Sequence, residues 1–193
     1  MKLRMNILIL YGTIEGQTEK IVNRMADLIR NRGHHVVSQP GEEIPAEFLA
    51  GKFDGVIIGG SIHMGKYPKY LRTFITENAD WINAVPSAFF TVCMAINSKH
   101  EKSRKDAIRY SELFLSQAGW HPRLVATFAG AVKYTKYNIV TRFIMKLISK
   151  REGGSTDTSV DHEYTDWESV VRFTNTFLAE LTELAENKAL EKA

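Results

Sequence analysis

The sequence predicts an α/β fold, a doubly wound parallel sheet of five strands in a single domain over residues 1–193. Three observations lead to this prediction. Five short apolar runs alternate with segments whose apolar residues recur at helical spacing. Most of the runs are largely apolar and do not alternate apolar with polar residues, as expected of strands buried on both faces of a parallel sheet. The chain has 193 residues, of which 44% are apolar, which is enough for one domain with a buried core.

The first half of the chain contains three of the five strands. Residues 5–11 (MNILILY) form the first strand, and the helical pattern of residues 17–32 ends at Gly33, a residue type that commonly terminates helices. Residues 34–38 (HHVVS) form the second strand and residues 53–60 (FDGVIIGG) the third. The segment between these two strands contains proline and glycine and is a connection.

The second half supplies the remaining two strands. A helix is predicted over residues 67–78, a strand over residues 86–96 (PSAFFTVCMAI), a long helix over residues 101–118 and a fifth strand over residues 123–130 (RLVATFAG). In doubly wound sheets, ligands bind outside the carboxyl ends of the strands, at the point where the strand order reverses. The loops after the first, third and fourth strands are therefore the candidate site.

A capping box marks the start of the last helix. Thr165 is the expected N-cap, and Glu168 is expected to reach back to the backbone N–H of the cap. The apolar face of this helix comprises Trp167, Val170, Val171, Phe177, Leu178 and Leu181.

The loop after the first strand has the composition of a phosphate-binding loop. In YGTIEGQT the glycines are Gly12 and Gly16, so the spacing differs from G-x-G-x-x-G, and no G-K-[ST] follows. The loop retains Thr13, Gly16, Gln17 and Thr18, whose hydroxyl and backbone N–H groups suit a compact phosphate without a lysine. A monophosphate is the favoured ligand. The alternative is that Thr13 or Thr18 only caps the helix.

The loop after the third strand matches a Walker motif only in part. Residues 60–66 (GSIHMGK) fit G-x-x-x-x-G-K, but Tyr67 occupies the position of the magnesium-binding Ser or Thr, and Pro68 follows. We interpret the segment as a second ligand loop that faces a flat ring with Ser61, Ile62 and His63. Taken alone, His63 is more typical of an exposed loop. Residues 94–98, after the fourth strand, join the site by position only.

A basic insertion separates the fifth strand from the last helix. It spans about 35 residues, 131–165, which is long for a simple connection. Residues 131–155 carry six Lys and Arg against one Glu, a net charge of +5, whereas the chain totals +3 and the remainder sums to −2. Residues 138–151 predict a basic amphipathic helix with Val140, Phe143, Ile144, Leu147 and Ile148 on one face and Arg142, Lys146 and Lys150 on another. The alternative is an ordinary surface helix docked on the sheet, with its lysines in water.

Four stretches of the chain resemble one protein family. They are ILYGTIEGQT, VIIGGSIHMGKY, PSAFFTV and the insertion AGAVKYTKYNIVTRFIMKLISKREGGSTDTS with the following EYTDWE. The first is similar to the phosphate loop of flavodoxins. The whole set is similar to the flavodoxin-like menaquinone-dependent protoporphyrinogen oxidases of heme biosynthesis, and the insertion is its most specific part because ordinary flavodoxins lack it. The resemblance implies a flavodoxin-like five-stranded sheet, a basic helical insertion before the last helix, and an FMN cofactor.

The resemblance also implies which residues bind FMN. The phosphate would be held by Thr13, Ile14, Glu15, Gly16, Gln17 and Thr18. The isoalloxazine ring would be flanked by Ser61, Ile62, His63, Met94, Ala95, Ile96 and Asn97, with Gly130 and Ala131 closing the pocket. An aromatic side chain often stacks on the flavin of such proteins, and the sequence does not choose among Tyr67, Tyr134 and Tyr137.

The function implied by the resemblance is oxidation of protoporphyrinogen IX to protoporphyrin IX, with electrons passed to menaquinone or another quinone. The cofactor carries the redox chemistry in such an enzyme, so we assign no side chain as an acid or base and none as a metal ligand. The cations of the insertion have two expected uses. They attract the propionates of a porphyrin-type substrate, or helix 138–151 contacts an anionic membrane near its dissolved quinone.

The composition indicates in which compartment of the cell the protein is found. The single cysteine, Cys93, has no partner for an intrachain disulfide, and no window approaches the apolar length that spans a bilayer. We therefore expect a cytoplasmic protein whose membrane contact, if any, is peripheral and on the inner face of the cell membrane. No nucleic-acid recognition motif is present. A monomer and an oligomer are both compatible with the sequence.

Two other functions remain open from the sequence. A flavodoxin that carries electrons without a substrate of its own would bind FMN with the same loops, although such carriers tend to be acidic and lack the insertion. A flavodoxin-like scaffold that no longer binds flavin would keep only the fold.

Overall fold

A five-stranded sheet is the centre of the computed structural model, which describes residues 3–45, 48, 50–63 and 65–190. Its strands are β1 (Asn6–Gly12), β2 (His35–Pro40), β3 (Gly55–Ser61), β4 (Ser87–Val92) and β5 (Leu124–Phe128). They lie in the order β2-β1-β3-β4-β5, and every neighbouring pair is parallel. This confirms the predicted doubly wound sheet and its flavodoxin-like order. The predicted domain, residues 1–193, includes residues outside the described part, so its extent stays a prediction.

Helices cover both faces of the sheet. They are α1 (Gln17–Asn31), α2 (Lys69–Glu77), α3 (Ala79–Ala84), α4 (Glu101–Ala118), α5 (Ile139–Glu152) and α6 (Trp167–Leu190). Alternate residues of β1 enter two cores. Ile7 and Ile9 pack with α1 and α6, whereas Leu8 and Leu10 pack with α2, α3 and α4. All four side chains are fully buried, which explains why residues 7–10 of the strand are all apolar.

The core beneath α6 requires a glycine in β3. The Phe90 ring lies so close to Gly59 that a Cβ at this position would be 2.0 Å from the ring Cζ. The same ring contacts Phe128 and Phe173, at centroid distances of 5.7 and 6.2 Å. Gly59 therefore allows the Phe90 ring to pack against β3, two residues before this strand ends and the loop to the candidate site begins.

Several predicted boundaries differ from the structure, and two of them lie next to the candidate site. The fourth strand ends at Val92 rather than at residue 96, because Met94–Asn97 forms a short 3-10 helix. The predicted helix 67–78 begins at Lys69, after Pro68, and α3 follows it directly. The four residues predicted to flank the flavin from the fourth strand therefore lie in a turn of helix.

The predicted capping box at the start of α6 is wrong. Asp166 is the cap, since its Oδ1 accepts the backbone N–H groups of Glu168 and Ser169 at 3.0 and 3.2 Å. Thr165 instead donates its hydroxyl to the Ala129 carbonyl at 2.8 Å. Aspartate is at least as good an N-cap as threonine. The sequence therefore contains two adjacent residues, Thr165 and Asp166, that could each cap the helix.

The insertion contains a small two-stranded sheet and one long helix. β6 (Ala131–Val132) pairs antiparallel with β7 (His162–Glu163), and α5 lies between them in the chain. Asn138 caps α5 by accepting the Thr141 N–H at 2.8 Å, and Gly153, with a φ of 87°, ends it. The predicted helix of the insertion is thus present.

Candidate functional site

A cavity of about 450 Å³ opens at the carboxyl ends of β1, β3 and β4. This volume is typical of small-molecule and cofactor sites. Twelve of the fifteen predicted cofactor-binding residues line the cavity, whereas Gly16, Ile96 and Asn97 do not. The twelve are Thr13, Ile14, Glu15, Gln17, Thr18, Ser61, Ile62, His63, Met94, Ala95, Gly130 and Ala131. The structure brings the predicted loops together, and the role of these residues in binding FMN stays a prediction.

One end of the cavity is the N-terminus of α1. Gly16 precedes the helix in a left-handed conformation, with a φ of 82°, and as a glycine it provides no side-chain cap. Thr13 accepts the backbone N–H of Gly16 at 2.9 Å, which fixes the shape of the loop. The alternative in which Thr13 or Thr18 caps the helix is therefore wrong. Uncapped N–H groups at the positive end of a helix dipole suit an anion.

Two buried hydroxyls of the cavity lining lack a hydrogen-bond partner among the described residues. They are Thr18 Oγ1, in the first turn of α1, and Ser61 Oγ, at the end of β3. A buried polar atom without a partner costs about 1–3 kcal/mol. A phosphate oxygen beside Thr18 and a polar ring edge beside Ser61 would each supply the missing hydrogen bond. The residues present therefore fit FMN.

Two residues of the first loop bind other parts of the chain with their side chains. Gln17 donates its amide to Thr165 Oγ1 at 2.8 Å, and Glu15 accepts the Tyr137 hydroxyl at 2.6 Å. Burial, together with the Glu15 carboxylate, raises the pKa of Tyr137 above its ordinary value, so this hydroxyl remains a donor. The side chains of Gln17 and Glu15 thus hold the loop in place.

The opposite end of the cavity is largely apolar. Ile62, Val92 and Met94 line it where β3 and β4 end. Cys93 also lines this end, and burial raises the pKa of its thiol, which keeps the group neutral near pH 7. A flat, largely apolar ring system suits such walls.

The three tyrosines considered as flavin partners are absent from the described cavity lining. Tyr67 lies in the core, where its hydroxyl is 2.7 Å from Thr91 Oγ1 and burial raises its pKa to about 12. Tyr134 is fully buried, and Tyr137 is bonded to the first loop. Tyr110 of α4 lines the cavity instead, with 39% of its surface exposed. Tyr110 was not predicted as a cavity residue, because its position in the sequence follows the ordinary spacing of a surface helix.

The insertion supplies one wall of the cavity. Met145, Ile148 and Glu152 of α5 line it. The Glu152 carboxylate accepts the Ser98 hydroxyl, and its backbone carbonyl accepts the Lys99 N–H at 3.1 Å. The hydrogen bond from Ser98 lowers the pKa of Glu152, so this carboxylate is ionised near neutral pH. The C-terminal end of α5 is therefore bound to the loop that follows β4.

The charged side chains of the cavity are acidic. The described lining contains Glu15, Asp106 and Glu152, and it contains neither lysine nor arginine. The cations that the sequence offered for a porphyrin-type substrate therefore lie outside the cavity. Arg142 is not available for this purpose, because it donates to the Tyr134 and Tyr137 carbonyls at 3.1 and 3.2 Å.

The apolar face of α5 is exposed to solvent. We define this face as Ile139, Val140, Phe143, Ile144, Leu147 and Ile148, all of which are exposed. The exposed fraction is 85% for Ile139 and 62% for Phe143, so the face does not pack on the sheet, as the docked-helix alternative would require. Lys146 and Lys150 are exposed as well. Among the helices of the described chain, α5 included, none is long and apolar enough to span a bilayer.

Comparisons with known proteins agree with this architecture. A family model described as a flavodoxin domain matches residues 8–159. The protoporphyrinogen IX dehydrogenase (quinone) of Escherichia coli strain K12 is 35% identical over 176 residues, covering 88% of this chain and 92% of the relative. The enzyme of the same name from Leishmania major is 32% identical and covers 89% of this chain and 74% of the relative.

Solved flavodoxin structures share the fold. The crystal structure of oxidised flavodoxin 1 from Bacillus cereus has a TM-score of 0.55 and 16% sequence identity, and the match covers 90% of this chain and 97% of that one. A flavodoxin from Streptococcus pneumoniae TIGR4 has a TM-score of 0.53 and 15% identity, with 92% and 98% covered. At such low identity, the likeness concerns the fold alone.

Proposed function

We propose that this chain, which belongs to the flavodoxin domain family and within it to the quinone-dependent protoporphyrinogen IX dehydrogenases, uses FMN to oxidise protoporphyrinogen IX to protoporphyrin IX in heme biosynthesis. The electrons pass to a quinone. The observation that carries this proposal is the similarity to the E. coli enzyme over most of both chains. The cavity supports it independently, because two hydroxyls that have no partner in the described part of the chain, and a helix N-terminus preceded by a glycine, suit a phosphorylated flavin.

The residues proposed to hold the cofactor have distinct tasks. The N–H groups of the first turn of α1 and the Thr18 hydroxyl bind the phosphate. Ser61, Ile62 and His63 border the ring on one side, and Met94 with Ala95 borders it on another. When bound, FMN supplies the two-electron acceptor. Met145 and Ile148 of α5 limit the access of water to the cavity.

A finer part of the proposal concerns the membrane. The apolar face of α5 inserts into the surface of an anionic bilayer, and Lys146 and Lys150 contact its phosphates. An exposed apolar helix face that carries lysines has the character of an interfacial helix, and each lysine near an anionic leaflet contributes about 1 kcal/mol. Because Met145, Ile148 and Glu152 of α5 line the cavity, this contact would bring the cavity next to quinone dissolved in the bilayer. The anionic leaflet in question is the cytoplasmic one.

An assay prepared without oxygen, to which each electron acceptor is then added separately, tests the enzymatic activity. The purified FMN-loaded protein is mixed with protoporphyrinogen IX, and protoporphyrin fluorescence is followed with menaquinone, NAD(P)⁺ or oxygen as acceptor. We expect turnover with menaquinone that exceeds the turnover with the other two acceptors. Failure to exceed the uncatalysed rate with any acceptor would contradict the proposal. Flavin that is reduced and reoxidised by protein partners, without porphyrinogen turnover, would indicate an electron carrier.

Sedimentation with lipid vesicles tests the membrane contact. We expect the protein to bind phosphatidylglycerol vesicles, and the Phe143→Ser/Leu147→Ser variant to bind at least about tenfold more weakly, since two apolar side chains no longer enter the lipid. The matched control is Ile108→Ser/Val125→Ser, which replaces two residues exposed to a comparable degree on α4 and β5. Equal losses in both variants would contradict a contact through α5.

A further inference from the structure

A second recess, the α2–α4 groove, adjoins the cavity. It has a volume of about 420 Å³ and is lined by Lys66, Lys69 and Arg72 on one side and by Tyr110 and Leu113 on the other. The first three residues precede or belong to α2, and the last two belong to α4. Both Tyr110 and Leu113 are more than one third exposed. The groove therefore combines three cations with an accessible aromatic and aliphatic surface.

The groove and the cavity share a boundary. Gly65 and Tyr110 line both. Gly65 has a φ of 75°, and a Cβ at this position would be 3.2 Å from the Tyr110 hydroxyl oxygen. The ring of Tyr110 thus stands between the two recesses, with its edge against the loop that follows β3. A flat ligand at the mouth of the cavity would extend over Tyr110 into the groove.

The three cations of the groove have no acidic partner among the described residues, since no salt bridge or side-chain hydrogen bond involves them. The first turn of α2 contains no acidic residue, and Pro68 provides no side-chain cap. Lys69 therefore lies at the positive end of the helix dipole, where a cation is unfavourable unless an anion is nearby. The positive potential of the groove is not neutralised within the described chain.

The cavity has the opposite charge. Its described lining carries Glu15, Asp106 and Glu152 and neither lysine nor arginine, so it offers a carboxylate no ion pair. A volume of about 450 Å³ is that of a site for one cofactor-sized molecule, so a tetrapyrrole must bind at the mouth and extend beyond it. The α2–α4 groove borders the mouth, and its described lining contains three cations and no acidic residue. A further recess, which shares Asp106 with the cavity, has three acidic residues beside its three cations.

We propose that the α2–α4 groove is the binding subsite for the propionate side chains of the tetrapyrrole, with Lys66, Lys69 and Arg72 as their partners and Tyr110 and Leu113 in contact with the macrocycle. The inference rests on the proposed function, because it takes the substrate from there. It divides the basic residues into two groups. The groove binds the substrate carboxylates, whereas Lys146 and Lys150 of α5 serve the lipid surface.

Binding of the product tests the subsite without any turnover. The FMN-loaded protein is titrated with protoporphyrin IX and, separately, with its dimethyl ester, which lacks the two charges. The groove variant is Lys66→Gln/Lys69→Gln/Arg72→Gln. We expect it to bind protoporphyrin IX about tenfold more weakly than the wild type, since exposed ion pairs contribute small increments that add up. Its affinity for the dimethyl ester and for FMN should not change.

Two control variants complete the design. Arg24→Gln/Lys52→Gln/Arg123→Gln removes three exposed cations on other parts of the chain, and Lys146→Gln/Lys150→Gln removes those of α5. Both should bind protoporphyrin IX as the wild type does. The proposal fails if the groove variant loses affinity for acid and ester alike, if it loses none, or if the α5 variant shows the loss instead. It also fails if the wild type binds neither porphyrin.

The two proposals can fail separately. Suppose that the wild type does not oxidise protoporphyrinogen IX, but binds protoporphyrin IX more tightly than its dimethyl ester and loses this difference in the groove variant. The subsite is then supported and the proposed activity is contradicted. If turnover is observed and the KM of the groove variant equals that of the wild type, the activity stands and the subsite falls. With both correct, the variant has a KM raised about tenfold and an unchanged kcat.

Discussion

Helices α1 and α5 have similar apolar spacing and opposite environments. In α1, Ile21, Val22 and Met25 have no exposed surface, because they pack on the sheet and on α6. In α5, Ile139 is 85% exposed and Phe143 is 62% exposed. The periodicity of apolar residues predicts a helix and one apolar face. The periodicity does not predict what the apolar face contacts, because that depends on how the helix is placed in the rest of the fold.

Polar contacts turn α5 outward. Arg142 donates to backbone carbonyls of the preceding segment at one end of the helix, and Glu152 binds the loop after β4 at the other. Ser149 is buried on the same side, and its carbonyl accepts the Gly154 N–H at 2.8 Å. These residues hold the polar face of the helix on the protein. The apolar face is therefore left exposed to solvent or to an external partner, although Ile148 at its edge also lines the cavity.

The largest difference is expected between the core on which α1 packs and the apolar face of α5, when the same substitution is made in each. Phe90→Ala removes a fully buried ring from the core, and we expect it to lower the free energy of unfolding by about 3–5 kcal/mol. Phe143→Ala, in the apolar face of α5, should change it by less than about 0.5 kcal/mol. Urea unfolding of the FMN-free protein measures both. A cost for Phe143→Ala near that of Phe90→Ala would mean that the face is packed within the protein.

The phosphate end of the cavity gives the next largest effect. Thr18→Val removes a buried hydroxyl that has no partner in the described chain. We expect FMN to bind about ten- to a hundredfold more weakly, because a hydrogen bond to a charged phosphate contributes about 1.5–3 kcal/mol. Riboflavin, which lacks the phosphate, should bind as it does to the wild type. Isothermal titration with both ligands gives the comparison.

Ser38→Ala is the matched control for Thr18→Val. The Ser38 hydroxyl is also buried without a partner among the described residues, but Ser38 does not line the cavity. FMN affinity should be unaffected by this change. If Thr18→Val weakened riboflavin and FMN equally, the hydroxyl would not be a phosphate ligand.

The hydrogen bond between Glu15 and Tyr137 joins the two regions, and breaking it should have a moderate effect. A double-mutant cycle with Glu15→Gln and Tyr137→Phe measures the coupling free energy of unfolding. We expect about 1 kcal/mol, since the phenol donates to a carboxylate at 2.6 Å at a partly buried site. Strictly additive effects would show that the insertion is not coupled to the first loop through this pair.

The smallest expected effect is the pH dependence of the Glu152 contact. The hydrogen bond from Ser98 lowers the pKa of Glu152 below its ordinary value of 4.5. A carboxylate whose pKa is lowered by folding stabilises the protein at pH values above its ordinary pKa. This contribution is lost as the pH falls through the pKa of the folded state. Wild type should exceed Glu152→Gln in unfolding free energy by less than about 1 kcal/mol near neutral pH. A difference that persists in acid, well below 4.5, would contradict this origin.

The sequence was sufficient for those parts of the fold whose signals are local. The five strands, the glycine-bearing first loop and the helix of the insertion follow from apolar runs, turn residues and periodicity. Tyr110 and Met145 were not predicted as cavity residues, because they come from helices that enter the site only through tertiary packing. The Asp166 cap was missed for a different reason, since two neighbouring residues had the chemistry of a cap and only the backbone path selects one.

Turnover with vesicle-bound and water-soluble quinones tests the central claim most directly. That claim is that the loops at the carboxyl ends of β1, β3 and β4 hold the flavin, while the apolar face of α5 brings the cavity next to quinone in the membrane. Protoporphyrinogen IX oxidation is measured for the wild type and for Phe143→Ser/Leu147→Ser, with menaquinone in phosphatidylglycerol vesicles or with a short-chain quinone in solution. We expect the variant to keep the wild-type rate with the soluble quinone and to lose at least about tenfold with the vesicles. Equal rates for the two proteins with both acceptors would contradict the account.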